Sequence, residues 1–242
     1  MNPDIAKVLN GESEGCIVHG DSLEAIADIP DGCVDAMVTD PPYGISLGDH
    51  ACAKETRANL LIKAGGYDDS PERFESVIVP IIKRGLSIST RGAVFCIPPS
   101  MWKLPAPDAI GGIFHLAAIG RNKWGWSNLI HCLFYGTAPD LYLGAQQTAI
   151  TDATVAEKTG HPTTKPLAWM LWCVQLAART GEIILDPFAG SGTTCVAAKK
   201  LGRRYIGIEI DEGYCDITKD RLLQLDGKRL GKLHKHSGFF DE

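Results

Sequence analysis

Apolar positions along the chain come in two rhythms. Short runs rich in β-branched residues stand at Cys16 to His19, Cys33 to Thr39, Gly92 to Ile97, Gly181 to Leu185 and Arg204 to Ile210. Continuous apolar runs bounded by turn residues predict strands buried on both faces, as in a parallel sheet. Between them the apolar residues recur at helical spacing. Leu23 to Ile29 is a helix capped by Asp21 or Ser22 and closed by Pro30 and Gly32. Phe74, Val77, Ile78, Ile81, Ile82 and Leu86 make one face of a helix that starts at Ser70-Pro71. Leu167, Met170, Leu171 and Val174 mark another; Cys195 to Gly202 and a run from Asp211 to about Leu225 complete the set. Strands alternating with helices predict an α/β fold with a mostly parallel sheet. Asn128 to Tyr135 alternates more than the others and is read as the last strand, antiparallel.

Two spans break the rhythm. Residues 45–69 have little periodicity, with Gly48, Gly65 and Gly66, and fit either a loop over a site, with a short helix around Arg57 to Lys63, or an irregular surface loop. From about 101 to 160, Trp102-Lys103 and Arg121-Asn122-Lys123-Trp124-Gly125-Trp126 interleave basic and aromatic side chains. That mixture suits phosphate contact and base stacking, and suits equally a hairpin packed on the sheet edge. Gly136 to Gly160 reads as a loop or small lobe, the best place for contacts to a target.

With 242 residues and 45% hydrophobic content, one domain over 1–242 with a single core is expected. No apolar run reaches membrane-spanning length, and the polar, acidic residues 1–15 do not read as a signal peptide. The eight cysteines are dispersed without a C-x-x-C, which predicts reduced thiols in a cytoplasmic protein and no zinc site. A net charge of −5 argues against an indiscriminate DNA coat but leaves room for a local basic groove. The basic stretch with Lys228, Arg229, Lys232 and Lys235 reads first as a solvated tail.

Three strings carry chemistry. Asp186-Pro187-Phe188-Ala189-Gly190-Ser191-Gly192-Thr193-Thr194 joins a strand to a helix, and Glu209 ends the following strand. Glycines allow positive φ and close backbone approach, and an acidic side chain about twenty residues on can accept both hydroxyls of a ribose, so the turn suits a nucleoside-bearing cofactor. A P-loop would need a Lys before the Thr, and a nicotinamide fingerprint would need a third Gly at Cys195. Asp40-Pro41-Pro42-Tyr43 follows the strand ending at Thr39, which sets a carboxylate, prolyl carbonyls and an aromatic ring where α/β sites form. His161-Pro162-Thr163-Thr164-Lys165-Pro166 is a helix entry with Pro in the first turn.

The first string resembles the S-adenosylmethionine-binding motif of DNA amino-methyltransferases, and Asp40 to Tyr43 resembles their Asp-Pro-Pro-Tyr catalytic motif for adenine N6 or cytosine N4. The third is similar to the His-Pro-Thr-x-Lys-Pro element of one subgroup. With the catalytic string first and the cofactor turn last, the order resembles the circularly permuted β group over nearly the whole chain. The resemblance implies a Rossmann-like methyltransferase sheet, S-adenosylmethionine as cofactor, DNA as partner and a base flipped out of the duplex. It makes Asp40, Pro41, Pro42 and Tyr43 catalytic and sets Asp21 against the cofactor adenine. Asp186, Phe188, Ala189, Gly190, Ser191, Gly192, Thr193 and Glu209 would surround the cofactor, with His161, Thr163 and Lys165 near its methionine end. Asp40 in place of Ser favours adenine N6 over cytosine N4. No metal is implied, because a sulfonium already makes its methyl electrophilic and catalysis is mostly positioning. Rival readings are an RNA or protein-glutamine amino-methyltransferase, a nicotinamide oxidoreductase, and a non-catalytic DNA-binding module. A homodimer and a nuclease partner are left open. The enzyme reading requires that strings near opposite ends of the polypeptide share one pocket.

Overall fold

The computed structural model describes residues 1–45, 69–116, 120–122, 125–139, 147–159 and 164–227, without the side chains of 120–122, 125 and 126. In chain order the first half gives α1 (Pro3–Leu9), β1 (Gly15–His19), α2 (Ser22–Ile26), β2 (Val34–Thr39), a short α3 (Pro71–Arg73), a π-helical turn (Phe74–Ile78), α4 (Val79–Ile88), β3 (Ser89–Cys96) and α5 (Pro98–Met101). The second half gives β4 (Ala109–His115), β5 (Gly120–Asn122), β6 (Gly125–Ser127), β7 (Leu129–Tyr135), β8 (Ala149–Asp152), α6 (Leu167–Ala177), β9 (Ile183–Asp186), α7 (Thr193–Lys200), β10 (Arg204–Glu209) and α8 (Glu212–Leu225).

Eight strands form one sheet in the order β1-β10-β9-β2-β3-β7-β4-β8. Among the described residues of this sheet only β7 runs against its neighbours, pairing antiparallel with β3 and β4, while the other pairings are parallel. This is the mostly parallel α/β sheet with one antiparallel strand that the patterning predicts. The central strands β2, β3, β9 and β10 are buried on both faces over most of their length, as their continuous apolar runs require. On β9, Ile184 packs into the cluster with Trp169, Met170, Cys195 and Val196, while Ile183 and Leu185 face the opposite cluster with Ile5, Val8, Ile26 and Ile81. Phe95 and Val94 divide in the same way on β3.

Several elements differ from expectation. The antiparallel strand is not the last one, because β4 and β8 extend the sheet beyond it. In β4 the glycines disguise the strand: a Cβ on Gly111 would lie 1.7 Å from the Thr148 carbonyl oxygen, so the approach of the chain before β8 requires glycine there. Among residues 101–160, β4, β7 and β8 thus belong to the main sheet, and β5 and β6 form a separate two-stranded hairpin. The polar stretch before Glu12 contains α1, held by Asn2, which accepts from the Asp4 and Ile5 amides, and by the burial of Ile5 and Val8. The expected helix from Ser70 is interrupted by the π turn, in which the Val79 amide bonds back to Phe74. Pro80, which follows, has no N–H to give the preceding turn, so the ladder shifts its register there. Pro98-Pro99, directly after the strand run that ends at Ile97, opens α5.

The functional consequence lies in the sheet order. β9 and β10, from the far end of the sequence, sit between β1 and β2 from the near end. Distant strings are therefore delivered to one sheet edge.

Candidate active site

β2 and β9 are parallel neighbours in the register Ala36 to Ile184 and Met37 to Leu185, so their carboxyl ends emerge together. Thr39 Oγ1 ties them, donating to Asp186 Oδ1 at 2.7 Å between two buried side chains. The Asp40–Tyr43 string and the glycine turn start side by side from this bond.

On the β2 side, the Tyr43 hydroxyl donates to Asp40 Oδ1 at 2.6 Å, and the Lys165 ammonium is paired with Asp40 Oδ2. The same ammonium lies 5.3 Å from the centroid of the Tyr43 ring, within cation–π reach. Burial, and then the adjacent Asp40 charge, push the Tyr43 phenol well above its ordinary value, so it remains a donor. Pro41 is buried and Pro42 half-buried. The string is pinned at its far end, where the Gly44 amide donates to Asp69 Oδ1 at 2.7 Å and the Ile45 amide to Asp69 Oδ2 at 3.4 Å. Gly44 has φ +65°, and a Cβ there would fall 2.5 Å from Phe74 Cβ, so only glycine passes between the string and the π turn. Of the loop expected over the site, residues 46–68 lie outside the described residues.

On the β9 side, Asp186 Oδ1 also accepts from the Phe188 amide at 3.1 Å. Burial raises the Asp186 carboxyl to about 6, opposed by bonds from Thr194, Thr39 and the Phe188 amide and assisted by the Asp40 charge. The turn itself needs positive φ at Gly190 (+52°) and Gly192 (+77°). Glu209, at the end of β10, accepts from the Gly190 amide on Oε2 at 2.7 Å and from the Asp211 amide on Oε1 at 3.0 Å. Its carboxyl is raised by burial, against those two amides. Thr218 Oγ1 donates to the Gly190 carbonyl at 3.0 Å, and Arg221 reaches the Ser191 carbonyl and Thr193 Oγ1. Ala189, Ser191 and Thr193 are buried, while Phe188 is half-buried between two core clusters.

Asp21 caps α2, its Oδ1 accepting from the Leu23 and Glu24 amides at 2.8 and 3.1 Å. It follows Gly20, whose amide donates to the Glu209 carbonyl at 2.9 Å, so the two carboxylates stand at neighbouring strand ends. A Cβ added to Gly20 would meet nothing within 4 Å, which marks open space over that edge. Two acidic side chains, a glycine turn and this open space fit the polar, hydroxyl-bearing end of a nucleoside.

The third string meets both others. Thr164 Oγ1 is 3.3 Å from Ser191 Oγ in the glycine turn, and Lys165 holds Asp40. His161 and Thr163 lie outside the described residues. Thr39, Asp69, Thr218 and Arg221 were not singled out in the sequence. Of these only Asp69 left a trace, as the residue before the Ser70-Pro71 helix start. Among the described residues no group of three or more His, Cys, Asp or Glu could hold a metal ion, and no helix is long and apolar enough to cross a membrane.

Residues 113–220, which include the glycine turn and Glu209, match the family model for DNA methylases of the N6/N4 type. The chain is 27% identical to the type II methyltransferase M.ScaI of Streptomyces caespitosus over 87% of this chain and 82% of that protein. It is 28% identical to the methylase YubD of Escherichia coli K12, covering 85% of this chain and 88% of that one. Among solved structures, the M1.HpyAVI complex with SAM superposes with a TM-score of 0.63 at 23% identity, over 86% of this chain and 98% of that chain. The cytosine-N4-specific PvuII DNA methyltransferase gives 0.62 at 15% identity, over 87% of each. The chain thus shares its fold with DNA methyltransferases and, over residues 113–220, matches the DNA methylase family model.

Proposed function

We propose that this protein is an S-adenosylmethionine-dependent DNA amino-methyltransferase of the permuted β group, acting on the exocyclic amino group of a flipped base and favouring adenine N6. One observation carries the reading: the Asp40 string and the Gly190–Gly192 turn, some 150 residues apart, are joined through the Thr39–Asp186 bond at the ends of two paired parallel strands.

When bound, the cofactor supplies a methyl group on a positively charged sulfur. The chain does the rest by placement. Asp21 and Glu209 take the nucleoside hydroxyls and adenine edge, the glycine turn admits the cofactor close to the backbone, and Phe188 covers it. His161 and Thr163 are assigned to its methionine end, and Lys165 to the Asp40 carboxylate with which it pairs. The target nitrogen is a poor nucleophile because its lone pair is delocalised into the ring. Hydrogen bonds from that NH2 to the Asp40 carboxylate and the Pro41 carbonyl favour a pyramidal nitrogen with its lone pair free, and the Tyr43 ring gives the base a stacking face. Pro42 keeps the backbone rigid between them. Target contacts are assigned to the connections among residues 101–160 outside the main sheet.

The test is transfer of labelled methyl from S-adenosylmethionine to unmethylated bacterial genomic DNA, followed by nucleoside mass spectrometry. N6-methyladenine is expected, whereas N4-methylcytosine would move the specificity to the other amino group. Label on RNA or peptide alone would sink the DNA reading. Asp40→Ala is expected to lower transfer by about 10²-fold or more with cofactor affinity within about twofold by calorimetry. An unchanged rate would leave only a binding module.

A further inference from the structure

The contacts of Asp40 point to one more role, which rests on the methyltransferase reading above. We propose that the Lys165 ammonium stands in the place of the target amino group and must be exchanged for it when a base enters, which makes Lys165 a gate on base entry.

A base in this pocket has two requirements of the chain: an N–H donor must reach the Asp40 carboxylate, and a ring must face Tyr43. The Lys165 ammonium occupies both places, as the N–H donor paired with Asp40 Oδ2 and as a cation 5.3 Å from the Tyr43 centroid on the face a base would need. The other carboxylate oxygen, Oδ1, is held by the Tyr43 hydroxyl at 2.6 Å. Oδ2 is therefore the oxygen a new donor has to share or take. The side chains of Lys165 and Asp40 are only 14% and 16% exposed, so little space remains for a third group beside them.

The partners of Asp40 differ in their freedom to leave. Tyr43 is fixed by its ring, by the two prolines before it, and by the Gly44 and Ile45 amides on Asp69. Lys165 reaches Asp40 on a flexible four-carbon stem whose three donors rotate freely. Its backbone is steadied next door, where Thr164 Oγ1 meets Ser191 Oγ at 3.3 Å, so the ammonium can swing while its anchor stays. Charge points the same way. Nitrogen becomes cationic as the methyl arrives, and a lysine left on Asp40 would oppose that charge at close range. In the resting protein the same ammonium offsets the desolvation of the Asp40 carboxylate. The exchange replaces a strong cationic donor by a neutral amino group, which sets a threshold that only a fully inserted base passes.

The experiment measures steady-state methyl transfer to unmethylated bacterial genomic DNA, with calorimetric binding of S-adenosylmethionine, for the wild type, Lys165→Met and Lys165→Gln. Removing the competing donor is expected to lower the KM for DNA about fivefold or more in both variants, with cofactor affinity within about twofold. Lys165→Arg, which keeps the charge and adds a second donor to the carboxylate, is expected to raise it. A residue that merely holds Asp40 in shape would instead lower kcat and leave KM unchanged or higher. The proposal is overturned by that pattern, by folded neutral variants that are inactive at saturating DNA, by loss of cofactor binding, or by failure of both variants to fold. A wild-type protein that transfers no methyl to DNA would refute the underlying reading instead.

Discussion

At the scale of single residues, the carboxyl groups of the site are set apart by what surrounds them. Asp186 is sealed between strands with its carboxyl raised to about 6, above the ordinary 3.8 it would have when unfolded. A raised carboxyl binds more protons folded than unfolded, so its contribution is full below the unfolded value and is lost as pH rises through about 6. Ionised Asp186 therefore weakens the fold at neutral pH, by on the order of 2–3 kcal/mol. Asp186→Asn keeps the oxygen that Thr39 and Phe188 use and cannot ionise. Melting curves are expected to show the variant gaining stability over the wild type at pH 8, with the gain shrinking toward pH 4; an equal difference at both would contradict the burial argument. Tyr43 divides differently, into a ring and a hydroxyl on Asp40 Oδ1. Tyr43→Phe keeps the ring and removes a hydrogen bond to a charged acceptor, so kcat should fall by about tenfold to a hundredfold with KM for DNA little changed. The Asp40 string was legible because two prolines and an aromatic after a carboxylate at a strand end have few uses. Lys165 was legible as a site residue, but its partner was not, since no spacing in the sequence pairs positions 40 and 165.

Among the elements, the turn between β9 and α7 is the most tightly specified. A Cβ on Gly192 would lie 2.2 Å from Thr218 Cγ2, in a backbone of φ +77°. Gly192→Ala thus suffers both an overpacked contact with α8 and an unfavourable conformation, and it should cost about 2–4 kcal/mol in urea unfolding. After Tyr43, the Gly44 and Ile45 amides are both held by the Asp69 carboxylate. Asp69→Ala removes the acceptor for two backbone amides and is expected to reduce methyl transfer about tenfold while the melting temperature shifts by only a few degrees. The elements hardest to read were those whose reason lies elsewhere in the chain. β4 carries Gly111 because the chain before β8 passes against it and Gly112 because the β7 backbone does, and the π turn answers to Pro80. The strands that could be read were those buried on both faces, whose composition is dictated by burial alone.

For the whole molecule, the decisive fact is that β9 and β10 lie between β1 and β2. Of the first-half strands, β2, β3, β7 and β4 pair directly, but β1 joins them through β10 and β9, and two of the core clusters that β2 enters take side chains from the second half. A fragment of residues 1–139 is expected to lack a melting transition by circular dichroism, and adding a second fragment from 147 to the end should restore one. An independently folded first fragment would show that the sheet order is not what holds the halves together. The same interleaving assembles the site, since Thr39 and Asp186, and Asp40 and Lys165, are each bonded across long stretches of sequence.

The sequence by itself determined the alternation of strands and helices, the glycine turn, the acidic end of β10 and the rigid Asp40–Tyr43 string. These depend on local sterics, on burial periodicity and on which side chains can perform a given chemistry, and all of those act within a few residues. Only the tertiary structure decided which strands are neighbours, that β4 and β8 carry the sheet past its antiparallel strand, and that Lys165 rests on Asp40. Those outcomes follow from packing between segments far apart in the chain, where contact is set by the shape of the sheet and no local pattern encodes the partner.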